Sequence, residues 1–310
     1  MGADRRAADR SASLIKRLRY WVRGKIWHRE WFMLPVLTRR FRRHYGRWPN
    51  LLKPTTYHDK LFIRIAFDRR PVLSVMADKV KARGYVSQRL GRDDKQARLL
   101  GVAYSTDDLA EFDLPARYII KGNHASGLVR IVTEDAPITP AELAALVAAW
   151  VAEDYGRYSL EWIYLKIRPA AVFEELLSHN GLPPRDVKFY CFGGRVEYIQ
   201  VQEDLLGGVT KSIFNRDRQW LDLSVGTIPR GETPDPLPLR LDAMIAVAET
   251  LAAGMDYLRV DTLDLGDRFY VGELTTTPDG GSGQFTPPHW DAVFGAHWKL
   301  PRWRELRGVA

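Results

Sequence analysis

One stretch, residues 257–277, limits the fold more than any other because it reads as two strands joined by a tight turn. Leu258, Val260 and Thr262 alternate with the residues between them, and residues 269–275 repeat this two-residue period. The Asp-Leu-Gly-Asp segment at 264–267 is a turn signal. The sequence therefore predicts a β-hairpin whose two faces carry different side chains.

The length of the turn decides which side chains share a face, because a one-residue slip in register inverts a strand. A two-residue loop would put Glu273 opposite Leu258, away from Asp261. We expect a three-residue loop, 265–267, which puts Arg259 opposite Glu273 and Asp261 opposite Val271. One face then carries two carboxylates, a hydroxyl and a guanidinium, from Asp261, Glu273, Thr275 and Arg259.

This face has the composition of a cation site. Neighbouring carboxylates such as Asp261 and Glu273 repel each other unless a cation lies between them. Mg²⁺ is usually held by one or two carboxylates together with substrate phosphates. Arg259 would then face the phosphates or a developing anion. A surface hairpin with a weak cross-strand salt bridge explains these residues alone equally well.

Composition narrows the class of protein. The chain has 310 residues, of which 45% are apolar and 11% aromatic, as in a soluble globular protein with one large core or two to three lobes. Its one cysteine, Cys191, excludes an internal disulfide and fits a reducing compartment. No apolar run reaches the length of a membrane span, and Pro35 with the basic cluster 39–43 argues against a signal peptide. We expect a cytoplasmic protein.

The net charge of +8 belongs to the N-terminal arm, residues 1–50, which contains fourteen Lys/Arg and three Asp/Glu. A helix from about Ser13 would align its apolar residues among basic ones, a pattern typical of peripheral contact with an anionic membrane, here through residues 13–47. A helix packed on the body with its basic face in water is the alternative. Nucleic acid is not expected, because the remaining 260 residues are slightly acidic.

A second segment of interest comprises residues 118–132. It reads as a strand that ends at Lys121, followed by a loop of small residues, 122–127. Small residues let backbone N–H groups approach phosphates closely. The segment matches neither a P-loop nor a dinucleotide fingerprint, and strand–glycine–strand turns are common. His124 in the loop is more often a loop histidine than a catalytic base.

Other segments complete the pattern. Helices are expected at 57–67, 74–90 and 239–253. The strand 171–177 carries the acid pair Glu174 and Glu175, one of which must point inward. A hairpin at 187–201 puts Lys188 on one face with Tyr190.

In this order the segments resemble the TupA-like ATP-grasp family of polysaccharide-biosynthesis loci, over roughly residues 50–290. Each motif is weak alone, whereas eight in the same order are specific. The matching motifs are A-D-K-V-K-A-R-G-Y-V, I-I-K-G-N-H-A-S-G, E-W-I-Y-L-K-I-R-P, F-E-E-L-L, D-V-K-F-Y-C-F-G-G, Y-I-Q-V, L-R-V-D and V-G-E-L-T.

The resemblance implies an α+β, ATP-grasp fold in which two α+β lobes hold ATP between them, with a basic helical N-terminal arm. It implies that the arm, 1–50, precedes the N-terminal part of the body, 51–115. A lid-like subdomain, 116–173, and a C-terminal catalytic subdomain, 174–295, would follow, and residues 296–310 would form a tail.

The resemblance also implies roles for individual residues. The nucleotide-binding set contains two lysines for the phosphates, a flexible lid and two glutamates on the adenine and ribose side. The catalytic pair and the Mg²⁺ ligands lie on the predicted hairpins. These positions are Lys79 and Lys121; Asn123, His124, Ser126 and Gly127; Glu174 and Glu175; Lys188 and Arg259; and Asp261, Glu273 and Thr275.

The sequence departs from the family pattern in three places. Ala125 and Leu128 replace glycines of the lid, which predicts a stiffer loop. Thr275 stands where relatives carry asparagine as a metal ligand. Leu160 and Leu205 stand where arginines are expected, which predicts a different acceptor.

The function that the resemblance implies is an ADP-forming, Mg²⁺- and ATP-dependent ligase that joins a carboxylate to an amine through an acyl phosphate. The carboxylate would belong to a uronic acid or a peptide of a surface polysaccharide precursor in cell-envelope biosynthesis. A kinase that stops at phosphoryl transfer and a non-catalytic adaptor at the membrane surface are the alternatives.

Overall fold

The computed structural model describes residues 30–205 and 208–308, and the helix expected from Ser13 begins outside these residues. Runs of helices and runs of antiparallel strands follow one another along the described residues, which confirms the expected α+β class. The strands are β1 Leu99–Ala103, β2 Tyr118–Gly122, β3 Val129–Val132, β4 Ala171–Glu175, β5 Arg185–Phe192, β6 Arg195–Leu205, β7 Gly208–Asn215, β8 Ser224–Val225, β9 Tyr257–Asp264, β10 Phe269–Thr275 and β11 Phe285–Thr286. The helices are α1 Glu30–Tyr45, α2 Tyr57–Phe67, α3 Pro71–Ala77, α4 Lys79–Leu90, α5 Pro140–Val151, α6 Tyr155–Ser159, α7 Leu241–Ala252, α8 Trp290–His297 and α9 Trp303–Leu306.

The larger sheet has five antiparallel strands in the order β10-β9-β5-β6-β7. Its first face is apolar and packs against α3, α4 and α7, with Cys191 among the buried residues. Its second face is aromatic where α1, α2 and α8 cover it, around Tyr57, Tyr257 and Phe294. Beyond these aromatic residues the second face carries polar side chains.

The smaller sheet has four antiparallel strands in the order β1-β4-β2-β3. Helix α5 covers one face, where Ile120 and Phe173 meet Val147 and Trp150. A capping box at Thr139 begins this helix. Because side chains alternate along a strand, the other face of the sheet remains open toward the larger sheet.

The helix expected over 74–90 is divided. Asp78 ends α3 and begins α4, because its side chain accepts the Val80 N–H at 3.0 Å as an N-cap. Helix α4 ends at Gly91, as predicted, where φ is +67°. The break points the N-terminal end of α4 at the cleft between the sheets.

The described part of the N-terminal arm is helix α1, and it packs on the body. Met33, Leu37 and Phe41 are buried against α2, whereas the exposed side carries Arg39 and the basic last turn. The described part of the arm therefore packs on the body with its basic side exposed, and both alternatives for the helix from Ser13 stay predictions. Among the described helices, none combines the length and apolarity that crossing a bilayer requires.

Candidate functional site

The floor of the cleft is the β9–β10 hairpin, and its register differs from the predicted one. The turn has four residues, 265–268, and Gly272 forms a bulge, so Asp261 pairs with Glu273 and Arg259 pairs with Thr275. The expected pairing of Asp261 with Val271 is wrong. The bulge nevertheless returns Glu273 to the face of Asp261. The four predicted side chains therefore share one face.

Asp261 is surrounded by cations. Arg259 donates two hydrogen bonds to its carboxylate, at 2.7 and 2.6 Å, and the Lys188 Nζ lies 3.4 Å from Oδ2. Lys188 also donates to Asp186. Burial opposes ionisation of Asp261, but the charges of Arg259 and Lys188 outweigh burial and lower its pKa. Asp261 therefore stays ionised.

Glu273 is the more accessible carboxylate. Its side chain is 40% exposed, and the Lys79 Nζ lies 4.0 Å from Oε1. Lys79 comes from the first turn of α4 and donates to the Ala125 carbonyl at 2.8 Å. Burial lowers the pKa of Lys79, and the charge of Glu273 partly opposes this effect. Lys79 thus connects the loop after β2 with the floor.

The roof of the cleft is the open face of the smaller sheet. Lys121 donates to Glu174 at 2.7 Å, and Arg83 of α4 donates to the other oxygen of Glu174 at 2.8 Å. Cross-strand pairing puts Val129 beside Lys121 and Ile131 beside Ile119 on this face. Val129 and Ile131 are about half exposed, at 52% and 49%. The roof therefore combines a lysine with open apolar surface.

Glu175 lies outside this arrangement. It pairs with Tyr118 on the face that α5 covers, and its carboxylate accepts the Arg98 N–H at 2.7 Å. Strand alternation sends the two glutamates to opposite faces. The expectation that both side chains line the nucleotide side is corrected to Glu174 alone.

The loop after β2 is anchored at its base. Asn123 is 1% exposed and bonds to Asp78, to the Arg168 carbonyl and to the Ala170 N–H, at 3.0, 3.0 and 2.7 Å. His124 is 2% exposed, and its ring nitrogens lie 3.0 Å from the Asn123 Oδ1 and 3.1 Å from the Glu153 carbonyl. Burial lowers the His124 pKa. These two residues are structural anchors in place of the predicted flexible lid.

The tip of the same loop is different. Ser126 and Gly127 are exposed, and Gly127 has a φ of +82°. Only the tip can therefore reach a ligand without unmaking buried hydrogen bonds.

Sequence reasoning missed several charged neighbours. Arg83 follows Lys79 by four residues, so helical spacing could have placed both on one face. Asp186 precedes Lys188 by two residues on β5, which is the same signal for a strand. Burial raises the pKa of Asp186, and Lys188 partly opposes this effect. Glu161 is buried beside Thr277, which donates to it at 2.5 Å. No local pattern pointed to this pair.

A glycine-rich loop, residues 278–283, continues from the strand that carries Glu273. Helix α1 holds it, because Arg40 donates to the Gly280 carbonyl at 3.3 Å and Tyr45 donates to the Gly281 carbonyl at 2.8 Å. Arg40 also donates to the Ser159 carbonyl. The helix of the arm therefore contacts the border of the site.

The donor set fits Mg²⁺ only in part. Within residues 30–205 and 208–308, no group of three or more His, Cys, Asp or Glu side chains could hold a metal ion. Asp261 and Glu273 supply two carboxylates and Thr275 a hydroxyl. This set suits Mg²⁺ when phosphate oxygens or water complete the shell. Arg259 and Lys188 contact the Asp261 carboxylate, so a cation that binds there would share this carboxylate with them.

The TupA-like ATP-grasp family model matches residues 59–299. No curated protein sequence matches the chain. D-alanine–D-alanine ligase from Bacillus anthracis is 17% identical, with a TM-score of 0.40 over 76% of this chain and 67% of that one. The corresponding ligase from Helicobacter pylori is 15% identical, with a TM-score of 0.39 over 73% and 62%.

The ATP-grasp ligase PsnB, in complex with a phosphomimetic variant of a minimal precursor, Mg and ADP, is 15% identical. Its TM-score is 0.38 over 77% of this chain and 58% of PsnB, so the chain spans little more than half of that protein. The family match spans most of the sequence, and it confirms the ATP-grasp fold expected from the motifs. The chain therefore belongs to the TupA-like ATP-grasp family.

Proposed function

We propose that this protein is a Mg²⁺- and ATP-dependent ligase that joins a carboxylate to an amine and releases ADP and phosphate. The observation that carries the proposal is the pairing of Asp261 with Glu273 on the floor of a cleft whose roof carries Lys121. Membership of an ATP-grasp family supports ATP-dependent chemistry at this cleft. The site supplies the charges that this reaction needs.

The roof suits the nucleotide. The apolar surface of Val129 and Ile131 offers a place for the base, and Lys121 and Lys79 offer positive charge to the phosphates. Glu174 accepts a hydrogen bond from Lys121 and so holds this lysine over the cleft. The same carboxylate could accept a hydrogen bond from a ribose hydroxyl. Ser126 and Gly127 supply the exposed loop tip.

The floor suits phosphoryl transfer. Asp261, Glu273 and Thr275 would hold Mg²⁺, which when bound neutralises phosphate charge and orients the terminal phosphate. Burial alone would lower the pKa of Lys188, but the carboxylates of Asp261 and Asp186 raise it, so this lysine stays charged. Lys188 and Arg259 would stabilise the negative charge on the transferred group.

The reaction then has two steps. A carboxylate oxygen of the donor attacks the terminal phosphorus of ATP, which gives an acyl phosphate and ADP. The amine attacks the acyl carbon, the bond to phosphate breaks, and the nitrogen gives up a proton, which the departing phosphate or water takes. The products are an amide and phosphate. In both steps the chain binds, orients and neutralises charge, which is the main requirement of phosphoryl transfer.

The proposal for the carboxylate and amine substrates rests on the resemblance to the family. We propose a uronic acid or peptide carboxylate of a surface polysaccharide precursor as the donor. Peripheral membrane contact through residues 13–47 stays a proposal with it. Of that range the structure describes the part from Glu30, where α1 turns its apolar side to the body.

The nucleotide site is tested by thermal unfolding with Mg²⁺-ATP. Ligand at about 100-fold over Kd stabilises the folded state by about 2.7 kcal/mol. For a chain of this length the melting temperature rises by about 5 °C. Glu273→Gln removes a metal ligand and should weaken binding at least tenfold, about 1.4 kcal/mol.

Asp267→Asn is the matched control, because it removes a carboxylate from the exposed turn of the same hairpin. With Mg²⁺-ATP, the melting temperature of Asp267→Asn should rise as much as that of the wild type. Equal shifts in wild type and Glu273→Gln contradict the metal assignment, and no shift in the wild type favours the adaptor. Phosphate release only when both acceptors are present identifies a ligase, whereas ADP formation with a single acceptor and a stable phosphorylated product identifies a kinase.

A further inference from the structure

The segment that follows α1 spans the end of the arm and the start of the body. It comprises residues 46–53, and we call it the 46–53 loop. The chain leaves the helix at Gly46, where φ is +67°, and runs irregularly until α2 begins. In this loop Trp48 is 54% exposed, Leu51 42% and Leu52 96%. Single exposed apolar side chains are common on proteins, but three within five residues form a patch.

The patch does not continue the apolar side of α1. Met33, Leu37 and Phe41 on that side are about 5% exposed and pack against α2. A membrane cannot reach them without displacing the helix from the core. Among the described residues of this region, the exposed apolar side chains are therefore those of the 46–53 loop.

The surroundings of the loop are basic. Residues 31–58 contain six Lys/Arg and no Asp or Glu. Arg39, Arg42, Arg43 and Lys53 are exposed, and the Arg42 guanidinium lies 4.6 Å from the centre of the Trp48 ring. The nearest acids belong to other elements. Asp59 is buried under Arg47, and Asp291 bonds to Arg47 and His58.

We propose that the 46–53 loop is a membrane-contact site that places Trp48, Leu51 and Leu52 in the interface of an anionic bilayer. The basic side chains beside it then lie at the level of the lipid phosphates. Tryptophan with leucine at a protruding tip suits the boundary between headgroups and acyl chains. Leu52, which touches almost nothing in the protein, favours a bilayer over a nucleic acid, whose bases would call for stacking surfaces in a basic groove. This inference is independent of the ligase proposal.

The test is co-sedimentation of the full chain with vesicles of phosphatidylcholine alone and of phosphatidylcholine with phosphatidylserine. We expect the protein to pellet with the anionic vesicles only, and less so as salt increases. Leu51→Ser with Leu52→Ser should lower the partition coefficient about 100-fold, since burying a leucine contributes roughly tenfold. Arg42→Gln with Arg43→Gln should lower it about 25-fold, or roughly fivefold for each charge.

Leu239→Ser is the matched control, because Leu239 is 91% exposed in a proline-rich segment away from the arm. It should pellet like the wild type. All the substituted side chains are exposed, so unchanged melting temperatures will show that each variant folds. Full pelleting of the double leucine variant overturns the proposal, and so does wild-type protein that stays in solution with both kinds of vesicle.

Discussion

Glu161 gives the sharpest prediction about stability, because its carboxyl is buried and burial is the largest influence on its pKa. Only 4% of the residue is exposed, and Thr277 donates to its Oε1 at 2.5 Å. Burial raises the Glu161 pKa to about 7 from an ordinary 4.5, while the hydrogen bond from Thr277 and the charge of Arg40 act in the opposite direction. Near neutral pH the folded protein therefore holds a proton that the unfolded chain has released.

The sign of the effect follows from this difference. As pH rises from the unfolded pKa to the folded one, the native state binds more protons than the unfolded state, so the free energy of unfolding falls. Each pKa unit corresponds to about 1.4 kcal/mol, so ionised Glu161 costs up to about 3 kcal/mol above neutral pH. Glu161→Gln keeps an oxygen for Thr277 and has no charge. We expect it to be more stable than the wild type by up to this amount.

The measurement is urea unfolding of both proteins between about pH 5 and about pH 8.5, with the difference in unfolding free energy plotted against pH. The difference should grow with pH and level off above neutral pH. Glu249→Gln is the opposite control. Burial would raise the Glu249 pKa, but its bonds to Arg216 and to the Val196 N–H lower it. Its loss should therefore cost more at high pH than at low pH. A Glu161→Gln difference that does not change with pH refutes the reasoning.

Three further predictions concern packing, each read by urea unfolding at neutral pH. Gly295→Ala should lose about 3 kcal/mol, because a Cβ there would lie 2.3 Å from the Thr55 carbonyl oxygen; an unchanged midpoint would show that α8 can shift. Gly84→Ala, inside α4 with open space around it, should gain roughly 0.5–1 kcal/mol, and a loss would contradict this. Arg64→Ala should lose about 3–5 kcal/mol, because it removes a fully buried guanidinium bonded to Asp256 at 2.6 Å, and a loss under 1 kcal/mol would mean that Arg70 compensates.

Local alternation predicted the polar face of the hairpin, but not how its strands pair. The turn is one residue longer than expected, which alone would have turned Glu273 toward the core. The bulge at Gly272 adds a second residue and turns it back. Because the two differences cancel in side-chain direction, the same four residues meet in a different register. A glycine in a strand is the one sequence signal for such a bulge.

The loop after β2 is anchored by long-range hydrogen bonds that no sequence pattern predicts. The resemblance to the family made Asn123 part of a flexible lid. Its partners are Asp78, 45 residues earlier, and backbone groups of Arg168 and Ala170, 45 and 47 residues later. Spacing along the chain carries no information about such contacts. The same holds for Glu161 and Thr277, which lie 116 residues apart.

The contacts of α1 with the glycine-rich loop 278–283 bear on how the arm can be studied. Arg40 and Tyr45 hold the carbonyls of Gly280 and Gly281, and Phe41 lies in the core beneath them. A chain cut at residue 45 would therefore lose part of the wall of its own candidate site along with its basic arm. A loss of nucleotide binding in such a truncation would therefore report damage to the candidate site rather than loss of membrane contact. Point substitutions of exposed residues distinguish these two effects, because they keep the contacts of α1 with the 278–283 loop.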